Sequence, residues 1–143
     1  MREGYDYLGM IFDFSHEGKV MVNMIEYINS IIDQFPEEII AIKTSPAVDH
    51  LFMVRDESLS KPLPEEQARA FHHASAQLLF LSARVRCDIQ PAKAFLTARV
   101  RCPDKDDWGK VKRVLGYLKG TLHMPLILSA DSLTLSRWWV HAV

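Results

Sequence analysis

Residues 5–36 read YDYLGMIFDFSHEGKVMVNMIEYINSIIDQFP, and the period of their apolar residues changes part-way along. Tyr5 to Phe14 is aromatic and partly alternating, as a strand with one buried face would be. Ser15-His16-Glu17-Gly18 follows with turn chemistry, Gly18 having ready access to positive φ, and Val20-Met21-Val22 begins a second apolar run. The pattern predicts an antiparallel hairpin over residues 5–23. From about Met24, Ile25, Ile28, Ile31, Ile32 and Phe35 recur at three and four, the spacing of one buried helix face, and Pro36 stops the run. Strands running straight into amphipathic helices make the expected class α+β.

Downstream, residues 43–64 hold Pro46, Pro62 and Pro64 among Ser, Asp and Glu, which reads as a surface connection around the apolar patch Leu51-Phe52-Met53-Val54. Pro64-Glu65-Glu66 opens a helix, with carboxylates facing the positive end of its dipole, and the run continues through Phe71, Leu78, Leu79 and Leu81 to about Val85. Asp88 is the expected N-cap of a next helix, with Pro91 in its first turn, reaching about Val100. Asp104 caps another, in which Trp108, Val111, Leu115 and Leu118 form one stripe, Lys110, Lys112, Arg113 and Lys119 occupy other faces, and Gly120 ends the run. These three helices should centre near residues 75, 95 and 112. Leu126-Ile127-Leu128 and Arg137-Trp138-Trp139-Val140 are expected as two strands joined through Ala130-Asp131-Ser132. One internal echo, Leu81-Ser82-Ala83-Arg84-Val85-Arg86-Cys87 against Leu96-Thr97-Ala98-Arg99-Val100-Arg101-Cys102, is explained by two helix ends of similar basic chemistry. It is too short for a solenoid, whose units run to at least ~20 residues.

With 143 residues, 48% apolar, the chain can bury one core. It has no run approaching the ~18 apolar residues of a membrane span and no signal-peptide core, so a soluble, intracellular protein without a membrane partner is expected. Cys87 and Cys102 lack the spacing of a zinc site or a disulfide framework and read as reduced structural thiols. The formal net charge of −1 hides an asymmetry: residues 1–70 carry six Lys/Arg against thirteen Asp/Glu, whereas residues 84–119 carry ten against four. A basic half suits an anionic partner such as nucleic acid. The acidic half is equally suited to pair with it inside the fold.

Chemistry-bearing motifs are sparse. The sequence holds no phosphate-binding glycine loop, His-Glu-x-x-His helix, nucleophile elbow or clustered carboxylate pair. His72 and His73 point about 100° apart on a helix and read as solvated or boundary residues. Asp106-Asp107 falls in a helix first turn, where acids are expected for electrostatic reasons. The basic set Arg84, Arg86, Arg99, Arg101, Lys110, Lys112, Arg113 and Lys119 could track a phosphate backbone or form a solvated, internally paired face, and charge alone does not choose.

Several segments together resemble the Pol polyprotein of copia-type LTR retrotransposons, from the end of the reverse transcriptase to the start of RNase H. Tyr7-Leu8-Gly9-Met10 with Phe12-Asp13-Phe14 resembles the Tyr-Leu-Gly hairpin that grips the primer end; the helix with Tyr27-Ile28, and Pro46, resemble the start of the thumb. Leu78-Leu79-Phe80-Leu81 is similar to the family's Leu-Leu-Tyr-Leu, and Arg86-Cys87-Asp88-Ile89 to its Arg-Pro-Asp-Ile. Lys112-Arg113-Val114-Leu115-Gly116-Tyr117-Leu118-Lys119-Gly120-Thr121 is the most specific match, departing at Gly116 where the family commonly has arginine. Arg137-Trp138-Trp139-Val140-His141-Ala142 looks like the first RNase H strand, with His141 where the family has a metal-binding aspartate, and histidine is no hard oxygen ligand for magnesium.

The resemblance implies residues 1–125 as a reverse transcriptase C-terminal region, with a helical thumb and connection over 24–120, and 126–143 as a truncated start of an RNase H-like domain. The family's Tyr-x-Asp-Asp motif lies before the hairpin, so this chain alone would hold no catalytic residue, metal or cofactor, the magnesium belonging to the parent polymerase. Its implied partners are the primer–template duplex, gripped through Tyr7, Leu8, Gly9 and Met10, and the remaining polymerase and RNase H parts. Lys110, Lys112, Arg113 and Lys119 are candidate nucleic-acid contacts from charge, not from family motif. The rival expectations are a non-catalytic helical protein-interaction module and a transposon remnant without function.

Overall fold

The computed structural model describes residues 4–56, 58–132 and 134–136. Strands β1 (Gly4–Tyr7), β2 (Met10–Asp13) and β3 (Lys19–Asn23) form an antiparallel meander, and β4 (Leu126–Ser129) joins the far side of β3, giving the order β1-β2-β3-β4. Helices α1 (Ile25–Gln34), α2 (Glu65–Arg84), α3 (Gln90–Arg99) and α4 (Lys105–Gly120) follow, with a short 3₁₀ turn, η1 (Cys87–Ile89), ahead of α3. The class is α+β. None of the helices among the described residues is long and apolar enough to cross a membrane.

The strand and helix periods explain the layers. Phe12 pairs with Val22, and Val22 with Leu126, so these three side chains line up across one sheet face and lean on the helical core. The core joins Val22 and Met24 to Ile28 and Ile31 of α1, Phe71, Leu78 and Leu81 of α2, Leu96 of α3, and Val111, Val114, Leu115 and Leu118 of α4. Each apolar stripe is turned inward. Truncating one of these buried aliphatics to alanine typically costs about 2–5 kcal/mol through lost transfer energy and a cavity.

Helices α2, α3 and α4 centre where the periodicity put them, and α1 stops before Phe35-Pro36. Asp104 caps α4 in a reciprocal box: its carboxylate accepts from the Asp107 N–H at 2.9 Å, and the Asp107 carboxylate accepts from the Asp104 N–H at 3.0 Å. The repeated Arg-Val-Arg-Cys segments fall at the ends of α2 and α3.

Three expectations need correction. Tyr5–Phe14 is not one strand: it folds back at Leu8-Gly9, so the predicted two-stranded hairpin is three strands. The type I′ turn here requires left-handed backbone at both central positions, and glycine alone signalled this weakly because leucine seldom adopts it. The expected strand at Leu126 forms as Leu126–Ser129 and pairs with β3, while the segment expected beside it, 137–140, lies outside the described residues. Asp88 does not cap α3, whose N-cap is Ile89; the Asp88 carboxylate instead binds Arg86 and Tyr117, which offer charged and phenolic donors stronger than a backbone N–H. Cys87 and Cys102 are free, but both are exposed and fill no core. Leu79 also faces solvent, one position round the helix from buried Leu78.

Candidate functional site

The first cluster of interest is the β1–β2 turn. Tyr7 pairs with Met10, leaving Leu8 (φ 54°) and Gly9 (φ 75°) as the two central residues, both left-handed as a type I′ turn demands. Glycine accepts this conformation at no cost, whereas a leucine Cβ crowds the following carbonyl, costing roughly 1–2 kcal/mol. The side chain gains nothing by burial, since Leu8 is 60% exposed. Tyr5 and Tyr7 are exposed beside it, and Tyr5 meets Phe14 edge to face at 5.9 Å. Met10 is half buried against the core, so of the four residues assigned to the primer contact, Tyr7, Leu8 and Gly9 form the projecting tip and Met10 anchors it.

The second cluster is the basic face of α4, over which residues 37–50 run as a strap. Gly116 permits the crossing: an added Cβ would lie 2.3 Å from the Ala41 carbonyl oxygen, and at Gly120 one would lie 2.6 Å from Ile42 Cγ2. The Lys43 N–H donates to the Gly116 carbonyl at 3.3 Å. Arginine, common here in the resembled family, has no space while the strap is in place.

The strap also engages the four lysine and arginine candidates. Lys112 binds Glu37, which also accepts from Trp108 Nε1 at 2.7 Å; these donors hold the Glu37 carboxyl below its ordinary value, outweighing slight desolvation. Lys119 Nζ donates to the Ile39 carbonyl at 2.7 Å, and Arg113 Nη2 to Ser45 Oγ at 3.0 Å. Lys110, 8% exposed, reaches the Met53 carbonyl at 2.7 Å, the Asp106 carboxylate at 3.1 Å and the Phe95 ring face at 4.2 Å. All four are thus bonded within the fold. Sequence left their pairing open because these acceptors lie 57 to 80 positions away, and two of the four are backbone carbonyls.

The other arginines are similarly committed. Arg86, 1% exposed, is clamped by Asp88 at 2.8 and 2.9 Å and donates to the Thr121 hydroxyl and carbonyl. Burial would raise the Asp88 pKa, yet the hydrogen bonds from Arg86 and Tyr117 outweigh it and the net shift is downward. Arg99 pairs with Asp107 at 2.8 Å, and Arg84 stacks over Phe80 at 3.5 Å. Among the described residues, Arg101 alone of the eight makes no bond or ring contact through its side chain, and it is exposed. Sequence reasoning named Arg86 only as one of the basic set and missed its buried clamp, for which the Asp two positions on was the one visible signal.

No group of three or more His, Cys, Asp or Glu among the described residues could hold a metal ion. His72 and His73 are both exposed, His73 meeting Gln34 at 3.2 Å. His141 and Arg137-Trp138-Trp139-Val140 lie outside the described residues. Comparison with protein-family models, curated proteins and solved structures finds no match to this chain.

Proposed function

We propose that the chain is the C-terminal part of a copia-type reverse transcriptase that holds a primer–template duplex through the β1–β2 turn and carries none of the polymerase's catalytic carboxylates. The observation supporting this reading is Leu8: an exposed apolar side chain kept in a left-handed turn where asparagine would sit without strain. Strain at an exposed tip, uncompensated by packing, fits a surface shaped for an external partner. Tyr7 beside it offers a ring for sugar or base contact and a hydroxyl for phosphate. Lys110, Lys112 and Lys119 contribute to this grip by fixing the helical body through their internal bonds.

The test is fluorescence-anisotropy titration of a labelled primed template with the full chain at low salt, repeated with Leu8→Asn and Tyr7→Ala. Micromolar binding weakened about fivefold or more by each substitution is expected, since losing one exposed contact removes about 1 kcal/mol. Absence of binding, or equal binding by all three proteins, refutes the reading.

A second reading, protein docking, draws on a different surface. The helix stripes are covered, but Ile40, Ile42, Phe52, Met53 and Val54 are each more than half exposed on the connection between α1 and α2. Such a patch suits packing against other parts of the parent polyprotein. Its test is co-purification with a separately expressed upstream polymerase segment, lost in Phe52→Ser with Met53→Ser.

A further inference from the structure

Between the strap and the exposed flank of α4 runs a groove of about 660 Å³. Lys43 borders it from the strap, and Lys105, Gly109, Lys112 and Arg113 from the helix. Spacings of three, four and eight put these helix residues on one face. Two carboxylates, Glu38 and Asp106, also line it, but Asp106 is engaged by Lys110 at 3.1 Å and by Arg55 at 3.8 Å. Lys112 is satisfied by Glu37, which leaves Lys43 and Lys105 without side-chain partners among the described residues.

Two details set this groove apart from an ordinary charged surface. Arg113 Nε is buried and has no hydrogen-bond acceptor, although Nη2 of the same guanidinium is bonded to Ser45. A buried, charged donor left unpaired costs upward of about 1–3 kcal/mol. Gly109, in the α4 interior, has nothing within 4 Å of where a Cβ would be. Glycine there costs about 1 kcal/mol relative to alanine and meets no packing demand; its effect is to keep the groove floor low.

We propose that this groove binds linked phosphate groups, with Lys43, Lys105 and the Arg113 guanidinium as the donors. Phosphate oxygens accept several N–H bonds at once and match both lysine point charges and the guanidinium edge. Lys105 and Arg113 are eight residues apart on α4, a rise of about 12 Å, enough for two or three phosphates in a row. That chemistry comes either from a free oligophosphate or from a phosphodiester strand. The proposal is independent of the primer-holding reading, because it involves neither Tyr7 nor Leu8.

The test is isothermal titration of the full chain at low salt with sodium tripolyphosphate and, separately, with a short oligothymidylate. Saturable binding of at least one of them is expected, weakened about tenfold in Lys105→Ala, Lys43→Ala and Arg113→Lys, the loss for one charged hydrogen bond, and unchanged in Lys19→Ala on β3. Lys105 is exposed and makes no bond in the fold, so its variant reads binding without a folding defect. Loss confined to tripolyphosphate identifies a free oligophosphate, and loss confined to the oligonucleotide identifies a strand. No binding of either probe, or equal weakening by Lys19→Ala, overturns the proposal.

Discussion

Replacing Gly116 with alanine should destabilise the protein although alanine is the better helix former. The added Cβ would stand 2.3 Å from the Ala41 carbonyl oxygen, so backbone must move by nearly 1 Å to restore normal contact. Overpacking of this kind costs about 1–3 kcal/mol, and losing the bond from the Lys43 N–H to Gly116 adds about 1 kcal/mol. Helix propensity returns about 1 kcal/mol, leaving a net loss of about 1–3 kcal/mol. At roughly 2–4 °C per kcal/mol for a domain of this size, the melting temperature should fall by about 2–12 °C. Gly109→Ala makes the same change seven positions earlier in the same helix, where the new methyl meets nothing within 4 Å, and should raise it by up to about 3 °C. Thermal unfolding followed by far-ultraviolet circular dichroism measures both. A Gly116→Ala protein melting at or above the parent would mean that the strap does not rest on α4.

Leu8→Asn should stabilise the fold by about 1 kcal/mol by relieving left-handed strain, while weakening duplex binding, so chemical denaturation and anisotropy should move in opposite senses; a destabilised variant would contradict the turn geometry. Arg86→Met should cost about 3 kcal/mol or more in urea unfolding, because Asp88 and the Thr121 carbonyl lose their charged donor, and a cost under about 1 kcal/mol would show the network to be dispensable. Glu37, Asp88 and Asp104 all have carboxyls held below their ordinary values of 4.5, 3.8 and 3.8. Their contribution is therefore present above about pH 4.5 and lost as pH falls through the depressed values, so urea midpoints should drop between pH 5 and pH 3. A flat profile across that window would contradict the assigned bonds. The purified chain should not extend a primed template with magnesium or manganese, and sustained extension by a contaminant-free preparation would refute the absence of polymerase carboxylates.

The helical half was legible because its information is local. Ile28 and Ile31, or Val111 and Leu118, announce a buried face by spacing, and Asp104 with Asp107 announces a helix start within four residues. The sheet was half legible: β3 and Gly18 came from alternation and turn chemistry, but the Leu8-Gly9 reversal depends on a leucine in a conformation its side chain disfavours. The β3–β4 pairing was hidden because strand partners a hundred residues apart leave no periodic trace. The fate of the basic residues was hidden for a related reason. Lys119 and Lys110 donate to the carbonyls of Ile39 and Met53, and any residue type supplies a carbonyl. The residues proposed to contact a primer were named through resemblance, while the groove beneath the strap exists only once residues 38–50 are laid against α4.

The position of β4 sets an order of events during synthesis. Strands β1 to β3 are complete by Asn23, yet the β3 edge receives its partner only when Leu126 emerges. At about 5–20 residues per second, that edge stays open on the nascent chain for on the order of 5–20 s, its N–H and C=O groups free to pair with any extended segment nearby. Ribosome pausing between α1 and α4 lengthens that exposure, and a chain cut short of residue 126 never ends it.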